Sequence, residues 1–251
     1  MAASRSIELR RRDVLRLAGS AAAFAAAAGG WFPALAQGVK LNMATIGSGR
    51  EGSALGSLFV KAGHKLMFSS RHPDQLKEMV AGLGPLAQAG TVAEAVAFAD
   101  VVLLVVPYTA IESIAAQHGK ALATKKLVLD VSNPIPRRDG EDFVKQINQQ
   151  GGAGLATAKM LPGAHIVRGF NAIGSGKLAE LAQREGDKKV GVPIAGDDQA
   201  AIALASSLIK EIGFEPVLVG GLAMGKYLVP GTPLAGEHSA AELRQIASTL
   251  K

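Results

Sequence analysis

The sequence predicts an α/β fold: a doubly wound parallel sheet with helices on both faces, followed by a small C-terminal α/β extension. Three observations lead there. Short apolar runs recur at 39–46, 65–69, 101–106, 127–131 and 165–170. Stretches of helical periodicity separate them, as crossovers between parallel strands require. The run VVLLVV at 101–106 is continuous rather than alternating, which is the pattern of a strand buried on both faces.

The elements follow in order. Val39 to Ile46 forms a first strand, and the loop GSGREG comes directly after it. Ala54, Leu55, Leu58, Phe59 and Ala62 then fall at helical spacing, and Gly63 stops that helix. Lys65 to Ser69 is a second strand; Pro73-Asp74 opens a helix with Leu76, Met79, Val80 and Leu83 on one face. Thr91 and Glu94 make a capping box ahead of Ala95, Val96 and Phe98. Leu127 to Val131 and His165 to Phe170 are further strands. Beyond Asn171 lies a smaller unit: a helix near 177–184, a strand at 190–195, a helix at 199–212 and a strand at 215–219. The remainder is loop-rich and then helical, so the boundaries expected are 37–174 for the larger domain and 175–251 for the smaller.

Residues 1–36 are expected to stand apart. They run from a basic start through a weakly apolar stretch to Ala34-Leu35-Ala36, the layout of a cleaved export signal. Arg11-Arg12 with Asp13-Val14-Leu15-Arg16 resembles a twin-arginine signal, which implies a periplasmic protein with no stable membrane anchor after cleavage. An amphipathic leading helix or an anchor is the alternative, although the apolar run is shorter than the ~20 residues a span needs. The leader carries five arginines against Glu8 and Asp13, which leaves 22 basic and 19 acidic residues in the mature chain. That balance is too mild to argue for nucleic acid. The chain has no cysteine, which excludes disulfides, thiolate metal sites and cysteine nucleophiles. The five histidines are scattered without a metal-binding spacing, so no metal is expected.

Gly47, Gly49 and Gly52 fall in the spacing G-x-G-x-x-G between a strand and a helix, the context that makes this spacing a dinucleotide motif. Gly47 serves the tight turn, Gly49 the close approach of a pyrophosphate and Gly52 helix–strand packing, with Ser48, Arg50 and Glu51 between them. The helix start offers N–H groups and a positive dipole end to phosphate. A site for NAD places a carboxylate at the end of the second strand, and this chain has Ser69-Ser70-Arg71 instead. Hydroxyls and a guanidinium suit a 2′-phosphate, which favours NADP over NAD. Val106-Pro107, Asn133-Pro134 and Asn171-Ala172 close the other expected strands, so all these segments meet the carboxyl edge where open α/β sheets bind ligands.

In order, IGSGREGSALG, FSSRHP, ADVVLLVVP, LVLDVSNP, IVRGFNAI and VPIAGDDQAA resemble the family of NADP oxidoreductases dependent on coenzyme F420, a deazaflavin. The resemblance covers about Val39 to Leu222. It implies a Rossmann-type NADP-binding domain and a small C-terminal domain that helps form the acceptor site. It implies pyrophosphate at Gly47 to Gly52 and 2′-phosphate at Ser69, Ser70 and Arg71. Pro107 and Asn133-Pro134 would lie near the nicotinamide, and Asn171-Ala172 near nicotinamide and acceptor. The chain departs from the family pattern at Gly221-Leu222, which leads into Gly225-Lys226-Tyr227-Leu228-Val229-Pro230-Gly231 instead of a long closing helix.

The implied activity is hydride transfer between NADPH and a flavin- or deazaflavin-type acceptor. Such a transfer needs positioning and exclusion of water more than acid–base catalysis. The sequence fits that: Tyr108 has Glu112 four residues on and Tyr227 has Gly231, so neither makes a Tyr-x-x-x-Lys pair. No histidine–carboxylate dyad is evident, Lys177 reads as a solvated helix lysine, and no catalytic residue is assigned. Two alternatives stay open: a non-catalytic NADP(H)-binding sensor, and a reductase of a small imine or carbonyl substrate resembling pyrroline-carboxylate reductases. The partner expected is a small-molecule hydride acceptor, and a homodimer is left open beside a monomer.

Overall fold

The structure, a computed structural model, describes residues 40–250, and the leader expected at 1–36 lies outside them. Eight strands form one sheet among the described residues: β1 (Asn42–Ile46), β2 (Lys65–Ser69), β3 (Ala87–Gly90), β4 (Val101–Leu104), β5 (Leu127–Asp130), β6 (Ile166–Arg168), β7 (Gly191–Gly196) and β8 (Glu215–Gly220). Their spatial order is β3-β2-β1-β4-β5-β6-β7-β8. The first six pair in parallel, β7 runs antiparallel to β6, and β8 is parallel to β7. The connecting helices are α1 (Arg50–Lys61), α2 (Lys77–Leu83), α3 (Val92–Phe98), α4 (Ile111–Leu122), α5 (Pro136–Asp139), α6 (Glu141–Gln149), α7 (Ala153–Met160), α8 (Ser175–Leu181), α9 (Gln199–Glu211) and α10 (Ala240–Thr249). This is the doubly wound α/β fold expected from the alternation of apolar runs.

The period of two along each strand sorts side chains onto two faces. On β4, Val101 and Leu103 enter one buried layer with Leu55, Phe59 and Ile209, while Val102 and Leu104 enter the other with Val96, Ile111 and Ala156. On β5, Leu129 joins the first layer and Val128 the second. Burying each such side chain contributes about 1.5–3 kcal/mol, so the continuous apolar run is what a central strand requires. The capping box is present: the Thr91 side chain accepts from Glu94 N, and the Glu94 carboxylate accepts from Thr91 N at 2.7 Å. Gly63, with φ +94°, ends α1 in a conformation that a side chain would strain.

Two features differ from the expected layout. The last two strands hydrogen-bond into the same sheet, and the chain from Lys40 onward forms one compact unit rather than dividing after 174. The direction also reverses at β6–β7, so the carboxyl ends of β7 and β8 point to the edge opposite those of β1–β6. The segment 221–238 therefore climbs back across the sheet. It starts at Leu222, whose N–H donates to Asp197 at the far edge, and ends where Gly236 N donates to Ala172 O and Gly191 N to His238 O.

Candidate dinucleotide site

The strand order changes hand between β1 and β4, and the loops there splay apart to leave a crevice at the carboxyl edge. A cleft of about 470 Å³ opens at that point. Gly49, Arg50, Glu51 and Gly52 form one wall, Val106 and Pro107 the floor, and Asn133, Asn171 and Ala172 the opposite wall. Pro134 lines a smaller adjoining hollow of about 240 Å³ that shares Ile135 and Pro230 with the cleft. Gly47 and Ser48 open the loop without lining the cleft, and Ser69, Ser70 and Arg71 also lie off it, at the end of β2.

Each glycine of the loop has its own reason. Gly47 has φ +95°, and a Cβ there would run into the Val105 carbonyl. A Cβ on Gly52 would collide with the Gly47 carbonyl oxygen, because α1 starts against the turn. Around Gly49 nothing lies within 4 Å of a Cβ, and the residue lines the open cleft. Gly49 caps α1 without a side-chain hydrogen bond, and Ser53 N makes the bond to Gly49 O. The preceding N–H groups, those of Arg50, Glu51 and Gly52, thus precede the intrahelical ladder, as an anion-binding helix start requires.

At the end of β2 the three expected residues divide. Ser69 is fully buried and its hydroxyl donates to Thr45 O at 2.6 Å, so it braces the turn instead of facing a phosphate. Ser48 Oγ in turn donates to Ser69 O at 3.0 Å. Ser70 Oγ accepts from His72 N at 3.1 Å, and Arg71 is exposed. A buried short side chain looked like a phosphate ligand because its burial cannot be read from its position after the strand.

The opposite wall is held by a buried polar network. Arg168 and Asp130 are both fully buried, with Arg168 Nη1 2.5 Å from Asp130 Oδ2. Thr157 donates to the same carboxylate oxygen at 2.9 Å, and Tyr108 OH lies 2.8 Å from Thr157 Oγ1 while donating to Ala153 O. Burial, and then the Asp130 carboxylate, push the Tyr108 phenol far above its ordinary range, so it serves the frame and not proton transfer. Arg168 Nη2 donates to Asn133 Oδ1 at 3.2 Å, and Asn133 Nδ2 donates to Asn171 O at 2.6 Å. Asn171 Nδ2 donates to Asp130 O and Ser132 O, and Ser132 Oγ donates to Leu104 O. The amide of each asparagine is thereby fixed in orientation.

Between the polar walls the cleft is lined by Val105, Val131, Phe170 and Ile173. Phe170 has φ +61°, a left-handed backbone that costs about 1–3 kcal/mol and clusters at functional sites. Its ring packs edge-on against Phe214 at 5.3 Å, which helps hold it there. Glu51 is the carboxylate of the cleft. Burial pushes its carboxyl up to about 7, with the Ser175 backbone N–H pulling the other way.

Several lining residues escaped the sequence reading: Val105, Ile135, Arg138 and Phe170. Arg138 had a usable signal, since it follows Asn133-Pro134 closely; it donates to Asn133 O and pairs with Asp139 at 2.8 Å. Pro230 belongs to the segment that departs from the family pattern, and the climb back across the sheet brings it to the cleft. Two histidine–carboxylate pairs exist, contrary to expectation: His64 with Glu211 at 3.0 Å and His165 with Asp198 at 2.6 Å. Their partners are 147 and 33 residues apart in the chain, beyond any spacing rule. Both histidines immediately precede strands, at the edge away from the cleft. Lys177, expected to be solvated, is exposed but bound to Glu237. Among the described residues no group of acidic, histidine or cysteine side chains is arranged to hold a metal, and no helix is long and apolar enough to cross a membrane.

Comparison with known proteins fits this geometry. Residues 42–134, which include the glycine loop and the first asparagine, match the model of the family described as NADP oxidoreductase, coenzyme F420-dependent. A hypothetical protein from Sinorhizobium meliloti is similar at 27% identity, covering 80% of this chain and 96% of its own, with TM-score 0.66. A provisional F420-dependent NADP reductase from Arthrobacter shares the fold at 20% identity, covering 74% and 87%, with TM-score 0.64. An imine reductase from Myxococcus stipitatus in complex with NADP+ shares it at 19% identity and TM-score 0.53, over 72% of this chain and 56% of its own. No curated protein matches the sequence.

Proposed function

We propose that this NADP-dependent oxidoreductase transfers hydride between NADPH and a flavin- or deazaflavin-type acceptor of the coenzyme F420 kind. The observation that carries the reading is the form of the cleft: an open helix start on one wall, two fixed asparagine amides on the other and apolar side chains between. NADP fits the residues present. The N–H groups after Gly49 would hold its pyrophosphate, with Ser70 and Arg71 at the 2′-phosphate. When bound, it supplies the hydride; the protein's part is to stack the two rings and keep water from them. Val105, Val131, Phe170 and Ile173 are suited to that part.

The test is isotopic. NADPH deuterated at C4 is mixed with the protein and oxidised deazaflavin or flavin, and deuterium is sought in the reduced acceptor. Tight NADPH binding without transfer to either acceptor leaves the sensor reading. Transfer to a cyclic imine instead selects the imine-reductase reading, to which the shared fold lends support.

The leader at 1–36 supports a further part of the proposal: the protein is exported folded, with its nucleotide already bound and recycled in place. Protein taken from the periplasm and denatured should then release stoichiometric NADP(H). Empty protein overturns that part alone.

A further inference from the structure

Two oxygens in the cleft are buried without a hydrogen-bond partner among the described residues: Glu51 Oε1 and Asn171 Oδ1. Asn171 is only 5% exposed, and its amide nitrogen is committed to the carbonyls of Asp130 and Ser132. Its Oδ1 is therefore a fixed acceptor. A buried acceptor left alone costs about 1–3 kcal/mol, a cost that a ligand's N–H removes. Glu51 stands in the first turn of α1, beside the N–H groups assigned to a pyrophosphate. As a carboxylate it would repel that anion at close range, whereas as a neutral carboxyl it is a hydrogen-bond donor.

We propose that Glu51 is the acid of the cleft: it takes up a proton when NADPH binds and passes that proton to the acceptor as hydride is transferred. This rests on the hydride-transfer reading above and gives the acceptor a chemical class. It carries a nitrogen conjugated with the carbon that receives hydride, as deazaflavins and imines do. Two electrons and one hydrogen nucleus arrive at that carbon as hydride, and the reduced nicotinamide becomes oxidised. The Glu51 O–H bond breaks, its electron pair stays on the carboxylate, and a new N–H bond forms on the acceptor. Binding of the next NADPH draws a proton from solvent and restores the acid. Asn171 Oδ1 positions the ligand by accepting one of its N–H groups.

The surroundings leave this proton to Glu51. No second carboxylate lines the cleft. Of its cations, Arg138 is held by Asp139 and Asn133 O, and Arg50 is exposed. On the elements packed against α1, Lys177 and Arg184 are paired with Glu237, Arg184 also with Glu180, and Lys77 with Asp74; Glu78 and Lys65 are exposed.

The experiment is calorimetric titration of the full chain with NADPH at about pH 8, in two buffers of different ionisation enthalpy, for wild type and Glu51→Gln. Wild type should take up about one proton per NADPH and the variant none. Wild-type affinity should fall about tenfold per pH unit above the Glu51 pKa, and the variant's should stay flat. Infrared difference spectra of wild type alone should gain a protonated-carboxyl band on NADPH addition, which decides the matter even if the variant does not fold. Binding without proton uptake, or equal uptake in both proteins, overturns the proposal and leaves the nucleotide site standing. Failure of wild type to bind NADPH overturns both.

Discussion

Arg168 donates to Asp130 across 2.5 Å with neither side chain exposed, and the same guanidinium reaches Asn133 in the cleft wall and the Leu228 carbonyl on the climbing segment. One buried cation thus ties β5, β6, the ligand wall and the C-terminal segment together. A buried pair of this kind is expensive to break from one side, because the survivor is left charged and unpaired. Arg168→Ala should cost about 3–5 kcal/mol in urea unfolding. Arg168→Met with Asp130→Leu should recover much of that loss yet bind NADPH poorly, since Asn133 loses its anchor. A double variant as unstable as the single would show that the pair stabilises more than it constrains.

The glycine loop offers a sharper contrast. Gly52→Ala forces a methyl group into the Gly47 carbonyl and should lose about 1–3 kcal/mol of stability. Gly49→Ala meets open space and should stay within ~0.5 kcal/mol of wild type. Its NADPH affinity should nonetheless drop about tenfold or more, equivalent to ~1.4 kcal/mol. Thermal unfolding with and without NADPH checks both; a Gly49→Ala protein that binds normally would remove the pyrophosphate from this loop.

Arg71 is exposed at the end of β2, so its loss should leave folding alone. Arg71→Ala should weaken NADPH by about 1.5–3 kcal/mol, the range of a charged hydrogen bond, and NADH hardly at all. Equal losses for the two nucleotides would refute the 2′-phosphate assignment.

Glu51 also predicts how stability without ligand varies with pH. Its folded-state carboxyl lies near 7 against an ordinary value of 4.5, so the folded protein holds a proton that the unfolded chain releases. That contribution is fully present below about 4.5 and is lost as pH rises towards 7. Urea midpoints across this window should fall for wild type more than for Glu51→Gln. Parallel curves would show that Glu51 is solvated in the free protein.

Much of the sheet was legible because its strands are near-continuous apolar runs, and β2 in particular falls on the expected residues, Lys65 to Ser69. β3 was not, since Ala87-Gln88-Ala89-Gly90 has no branched or aromatic side chain and sits at the sheet edge. The reversal at β6–β7 was also hidden, because a buried strand reads alike in either direction. In the site, Gly47 and Gly52 were readable from backbone need alone. Ser69 was misread because exposure is a tertiary property. Arg168 was passed over because a cation within a strand gives no hint that Asp130 and Leu228 will enclose it.

The opposed strand ends give the molecule two unequal poles. The glycine loop, the asparagines and Glu51 gather at one, while His64–Glu211, His165–Asp198 and the turns after β7 and β8 gather at the other. Substitutions at the second pole should act on folding more than on the cleft. A saturation library should therefore sort along the strand axis. Variants that survive selection for abundance yet fail selection for turnover would concentrate at the glycine-loop end, and sequence drift would accumulate at the histidine end.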